Sequence, residues 1–172
     1  MKQLGMLLAV LVGVIFLAYW SSKPGNLESL FLRAGVPIAN QEAPSPEEKT
    51  IKIDSHKFKV EIAQTEQARK VGLSEHETLP EDWGMLFVLE KKDEKPVFWM
   101  KGMKFPIDII WINDEVVSEI TPNVPTVPSG ISDSQIPRFS PRVGVDYVFE
   151  VPGGVTGKLG IKVGDTVVLP SL

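Results

Sequence analysis

Polar and apolar residues alternate with a period of two through much of the chain after residue 50. In His56-Lys57-Phe58-Lys59-Val60-Glu61-Ile62, Phe58, Val60 and Ile62 point one way, the pattern of a half-buried strand. Asp54-Ser55 reads as the turn from a preceding strand, Ile51-Lys52-Ile53. Thr65 predicts the cap of a short helix through Val71, which Gly72 stops. Met85–Leu89 is uninterrupted apolar sequence and predicts a buried strand, followed by a charged turn over Glu90–Lys95. Val97–Lys101 and Ile107–Ile112 predict further strands. Asn113-Asp114 is the expected two-residue hairpin turn into Glu115–Ile120.

Residues 121–144, with Pro122, Pro125, Pro128, Pro137 and Pro141, predict a long loop. Asp146–Val151 and Asp165–Leu169 are the expected closing strands. Gly153-Gly154 and a helical turn at Thr156–Leu159 lie between them. Many short strands and little helix define a mostly β domain over 51–172, a small closed or partly open β-barrel with one or two short helices.

The start of the chain follows a different rule. Leu4–Trp20 is apolar except for Gly5 and Gly13. As a helix it would be about 25 Å long, at the short end for a ~30 Å hydrocarbon layer. Tyr19 and Trp20 end it, where interfacial aromatics belong. A cleaved signal peptide needs small residues at its cleavage site, and here Phe16-Leu17-Ala18-Tyr19-Trp20-Ser21-Ser22 places bulky aromatics there. The expectation is therefore an uncleaved transmembrane anchor at residues 1–23. Lys2 and the α-amine favour an N-inside orientation, which leaves the remaining chain on the outer side of the cytoplasmic membrane. Residues 24–50 read as a tether. It opens on Pro24-Gly25, and its Asn40–Thr50 end is polar and carries Pro44 and Pro46.

Charge and cysteine content narrow the function classes. Without residues 1–23, 22 acids face 16 bases, a net −6, the wrong sign for a nucleic-acid surface. No cysteine is present, so disulfides, thiolate nucleophiles and Cys zinc sites are excluded. Two histidines, His56 and His76, are too few for a metal cluster, and His76 between Glu75 and Glu77 reads as a solvated loop. The glycines form no phosphate loop and the serines no nucleophile elbow, so neither a metal nor a cofactor is expected.

Four residues stand out in the apolar strands: Asp108, Glu150, Trp99 and Lys101. Asp108 sits within Phe105-Pro106-Ile107-Asp108-Ile109-Ile110-Trp111-Ile112. A buried lone charge costs several kcal/mol, so Asp108 must be paired, hydrogen-bonded or protonated. Either it is a functional acid in a cleft, or it accepts bonds from the 102–105 turn or pairs with Lys101 or Arg142. The second reading is favoured, because structural ion pairs perturb carboxylates as readily as active sites do. Glu150, between Phe149 and Val151, poses the same problem and is expected near Asp108. Alternation puts Phe98 and Met100 on one face, Trp99 and Lys101 on the other. Trp99 beside a lysine suits a sugar or aromatic ligand, while packing under a loop is the commoner fate of such an aromatic.

Four segments in order resemble the domain of unknown function 192 family. They are Gly72-Leu73 with Leu79-Pro80-Glu81-Asp82-Trp83-Gly84-Met85-Leu86-Phe87; Phe98-Trp99-Met100-Lys101; Pro106–Ile112; and Tyr147–Val151 with Leu159–Asp165. The resemblance covers about residues 58–169. It implies a compact, mostly β barrel, often behind a signal or anchor segment, and supplies no activity. The chain departs from the family at His76, where an Arg is usual, and at Gly102-Met103, where Asn-Thr is usual.

Two functions fit these readings. The first is a membrane-anchored, extracytoplasmic, non-catalytic binding or accessory module for a small-molecule, glycan or protein ligand. Trp99, Lys101 and Asp108 would be its binding residues, in a groove framed by Trp99 and the 121–144 loop. The second is a carboxylate-dependent hydrolase of an envelope saccharide, with Asp108 and Glu150 or Glu81 as acid and base.

Overall fold

The period-two segments are the strands. The computed structural model describes residues 49–172, so the expected anchor and nearly all of the tether lie outside the described residues. The elements are β1 (Thr50–Ile53), β2 (His56–Ala63), α1 (Glu66–Val71), β3 (Trp83–Val88), β4 (Phe98–Trp99), β5 (Ile107–Asn113), β6 (Val116–Val124), β7 (Arg138–Phe139), β8 (Tyr147–Pro152), α2 (Val155–Leu159) and β9 (Val167–Val168). Among the described residues, no helix is long and apolar enough to cross a membrane.

Seven strands form one sheet in the order β6-β5-β8-β3-β2-β1-β9, and β4 pairs with β7 separately. Only β2 and β3 run parallel within the large sheet. A parallel pair needs a crossover, and α1 lies in it. Thr65 Oγ1 caps α1 by accepting from Ala68 N at 3.1 Å, and Gly72 ends it at φ 50°. The sheet curls until its edges meet: Val117 N donates to Asp165 O at 2.9 Å, and Val167 N to Glu115 O at 2.7 Å. These bonds nearly close the barrel.

The curl separates two apolar clusters. One holds Ile51, Phe58, Leu86, Ile110, Ile112, Phe149 and Val151, with side chains from all seven strands of the sheet, and so fills the barrel. The other holds Phe87, Ile107, Ile109, Trp111 and Val148 against Leu73, Leu79 and Met100. It lies on the opposite side of the strands, under α1 and the connecting segments. Strand β5 is therefore buried on both faces, which explains the continuous Ile107–Ile112 run.

Two expectations need correction. The hairpin turn is Asp114-Glu115, because Asn113 pairs with Val116. Both turn residues have positive φ, 46° and 60°, as a tight primed turn requires. The 121–144 segment is not a bare loop. Strand β6 continues to Val124, and Pro122 is tolerated because β6 is a sheet edge. Further on, Arg138 pairs with Trp99 and Phe139 with Phe98.

Candidate functional site

Asp108 is fully buried, and both its oxygens are occupied. Oδ1 accepts from Asn123 N at 2.7 Å and Gly154 N at 2.9 Å. Oδ2 accepts from Thr156 N at 2.8 Å and Thr156 Oγ1 at 2.6 Å. One carboxylate thus ties the end of β6, the Gly153-Gly154 turn and the start of α2 to β5. Gly154, at φ 87°, turns the chain so that its N–H can reach. Asp108 accepts backbone bonds, but from partners other than those expected. The 102–105 turn, Lys101 and Arg142 play no part; Lys101 pairs with Asp133 at 2.6 Å and Arg142 with Glu119 at 3.7 Å.

Glu150 does not join Asp108. In the β5–β8 register, Asp108 opposes Val151 and Glu150 opposes Ile109. Adjacent strand positions project to opposite faces. Asp108 therefore points with Ile110 and Ile112 into the barrel, whereas Glu150 points with Ile109 and Val148 into the second cluster. The two carboxyls cannot act as an acid/base pair on one substrate. Glu81, the other partner considered, is held at the surface by Lys158 at 2.5 Å.

Glu150 is 5% exposed, and its carboxyl meets no hydrogen-bond donor or cation among the described residues. Burial pushes its pKa up to about 8, so at neutral pH the free group is chiefly the neutral acid. It lines a cleft of about 360 Å³, within the size range of small-molecule sites. Phe87, Phe98 and Leu73 supply apolar walls, and Trp99 lies at the exposed side. Phe98 is fixed edge-on between Phe87, at 4.9 Å between ring centroids, and Trp111, at 5.7 Å.

The rim is charged, and its cations are occupied. On α1, Arg69 donates to Gln64 O at 2.7 Å and Val88 O at 3.2 Å and pairs with Glu90, while Lys70 pairs with Glu66 at 2.6 Å. Trp99 is 36% exposed, with Arg138 4.0 Å and Lys101 5.1 Å from its ring centroid. Phe98 and Met100 face inward and Trp99 and Lys101 outward, as alternation requires. The groove is framed by Trp99 but not by the 121–144 loop, whose Arg138 only backs the indole. The opposite wall is α1 with the 89–97 segment.

His76 is not wholly solvated. Its Nε2 lies 3.0 Å from Glu61 Oε1, while its buried Nδ1 has no partner. Among the described residues no three His, Cys, Asp or Glu side chains are grouped to hold a metal. Arg69, Glu94 and Arg138 escaped the sequence reading. Charged loop and helix residues carry no periodic signal: the crossover brings Arg69 and the turn after β3 brings Glu94 to the cleft, while β7 sets Arg138 against Trp99 beside it.

The barrel with this cleft defines the class, and comparison gives it a family. The chain belongs to the domain of unknown function 192 family, described as an uncharacterised ACR, whose model matches residues 49–169. Similar solved structures include a candidate transcription regulator from Sinorhizobium meliloti 1021, 24% identical with a TM-score of 0.63. The similarity covers 70% of this chain and 92% of that one. A protein of unknown function from Novosphingobium aromaticivorans DSM 12444 is 28% identical with a TM-score of 0.60, over 69% of this chain and 83% of that one. No curated protein matches the chain significantly.

Proposed function

We propose that the domain is a non-catalytic binding module and that the cleft over Glu150 is its binding site. One observation carries this reading: a largely buried carboxyl with no partner among the described residues forms part of an aromatic-walled cleft of ligand size. The side chain is mostly buried but its oxygens open onto the cleft rather than being sealed in the core, so a bound ligand could reach and donate to them. Lys101 and Trp99 belong to the mouth, and Asp108 holds the barrel beneath it together. A hydrolase reading gains no support, because the carboxyls it needs lie on opposite faces of the sheet.

The module is proposed to be held at the outer face of the cytoplasmic membrane by residues 1–23, on the strength of the Leu4–Trp20 run. The description of the Sinorhizobium protein as a regulator is not carried over, since the chain without residues 1–23 has a net charge of −6. Fragment soaking into crystals of the protein tests the site: density in the Glu150 cleft is expected, and occupancy only elsewhere would overturn the reading. Alkaline carbonate extraction of cells expressing the full chain tests the anchor, which predicts retention in the membrane pellet. Release into the supernatant would refute it.

A further inference from the structure

We propose that the ligand of this cleft carries a primary alkylammonium group, which enters past Trp99 and Phe98 and pairs with the Glu150 carboxylate. The proposal rests on the binding-site reading above and specifies the chemistry of the occupant.

The charges lining the cleft come from α1 (Glu66, Arg69, Lys70), the segment after β3 (Glu90, Glu94), Lys101 after β4, and Glu150 on β8. Each cation already has an acidic partner: Arg69 has Glu90, Lys70 has Glu66 and Lys101 has Asp133. Two carboxyls are left without a cation among the described residues, Glu150 and Glu94. With Glu150 ionised, four carboxyls line the cleft against three cations. The unmet demand of the lining is therefore for positive charge: no lining cation among the described residues is free of a carboxylate, and Arg138, beside the cleft over Trp99, already donates to Asp133 O at 3.2 Å.

The shape of the demand is also specific. Glu150 is nine-tenths buried, so its partner must be small at the tip. The approach is lined by Phe87, Phe98 and Trp99. Aromatic rings accept an alkyl chain by burial and a cation by attraction to their faces. An ammonium offers three donors on a slim stem, which answers a carboxyl whose oxygens meet no donor among the described residues. A sugar hydroxyl would meet the acid but would leave the excess negative charge unanswered.

Ammonium binding must ionise Glu150, because only the carboxylate rewards the pairing. Burial holds the free carboxyl near a pKa of about 8, so at pH 7 binding displaces a proton into solvent. The balance is simple: the acid loses its proton, the ammonium keeps its own, and an ion pair replaces a neutral acid. The same group could come from a free amine or from a lysine side chain on a partner.

The test is calorimetric titration of the full chain with n-butylammonium, with n-butanol, and with a capped Gly-Lys-Gly peptide, at pH 7 in two buffers of different ionisation enthalpy. Chemical-shift mapping of Phe98, Trp99 and Glu150 accompanies it. Release of close to one proton with butylammonium or the peptide, and none with butanol, is expected. Binding by butylammonium assigns a free amine, and binding by the peptide alone assigns a partner's lysine. Glu150→Gln is expected to weaken binding roughly tenfold or more and to abolish the proton release. If butanol binds in the cleft as well as butylammonium, and no proton is released, the ammonium proposal fails while the binding site stands. If none of the three probes perturbs the cleft, both fall.

Discussion

Asp108 and Thr156 are joined twice through a single carboxylate oxygen: Oδ2 accepts from the Thr156 amide at 2.8 Å and from its hydroxyl at 2.6 Å. With Asn123 and Gly154 donating to Oδ1, the side chain completes four bonds with no cation involved. A carboxylate accepting several backbone N–H bonds is stable inside a protein. The same side chain also caps α2, whose Val155 enters the barrel core.

Asp108→Asn places an amide nitrogen against N–H donors and loses the charge that strengthens four bonds. A loss of about 2–4 kcal/mol is expected in chemical denaturation. Thr156→Val, which removes only the hydroxyl bond, should cost about 1–2 kcal/mol. Equal costs for the two variants would mean that the carboxylate is not the hub.

Glu150→Gln should stabilise the protein in a pH-dependent way. The native pKa of about 8 lies above the ordinary value of 4.5, so between these pH values the native state holds a proton that the unfolded chain has released. The stability that this proton contributes is therefore complete below about pH 4.5, is lost as pH rises towards about 8, and is level beyond. The accumulated loss is on the order of 5 kcal/mol. Glutamine does not titrate, so the stability difference between variant and wild type should be smallest near pH 4.5 and widen to pH 8. Thermal melts across this range read it, and a flat difference would show that Glu150 is solvated.

Gly84→Ala should damage folding. A Cβ at Gly84 would lie 2.4 Å from the Phe149 ring and 2.5 Å from Glu150 O. The backbone oxygen cannot yield, and β8 would have to move from β3. A cost of about 3 kcal/mol or more is expected, read as loss of soluble protein or a collapsed melting temperature. A normally stable variant would contradict the close approach of β8.

Trp99→Ala should separate stability from binding. The indole is partly exposed and is held by Arg138 and Lys101. Removing it should cost no more than about 1 kcal/mol of stability while weakening occupancy of the cleft. Titration of wild type and variant with n-butylammonium distinguishes the two effects, and unchanged affinity would place the ligand elsewhere.

Strands β1 and β2 were legible because period-two alternation reports burial on one face, and α1 because Thr65 caps it and Gly72 stops it; all three, with the α2 turn, fall where the sequence places them. Legibility failed where both faces are buried. In β5 and β8 every position is apolar or isolated-polar, so alternation separates Asp108 from Glu150 only once the register of the two strands is known. The hairpin was displaced by one residue because Asp114 and Glu115 adopt positive φ without glycine, a conformation that composition does not announce. The opposite wall of the cleft was invisible for another reason: Arg69 and Glu94 are brought to it by a crossover and a turn, not by any local pattern.

The central claim is that Glu150 is a largely buried acid in the cleft, without a partner among the described residues. Carbon-13 NMR of the Glu150 carboxyl, assigned by comparison with Glu150→Gln and followed from pH 4 to 10, tests it most directly. A midpoint near 8 is the predicted result. A midpoint in the ordinary glutamate range, about 4 to 5, would mean a wet and already satisfied carboxylate, and the binding site argued from it would be lost.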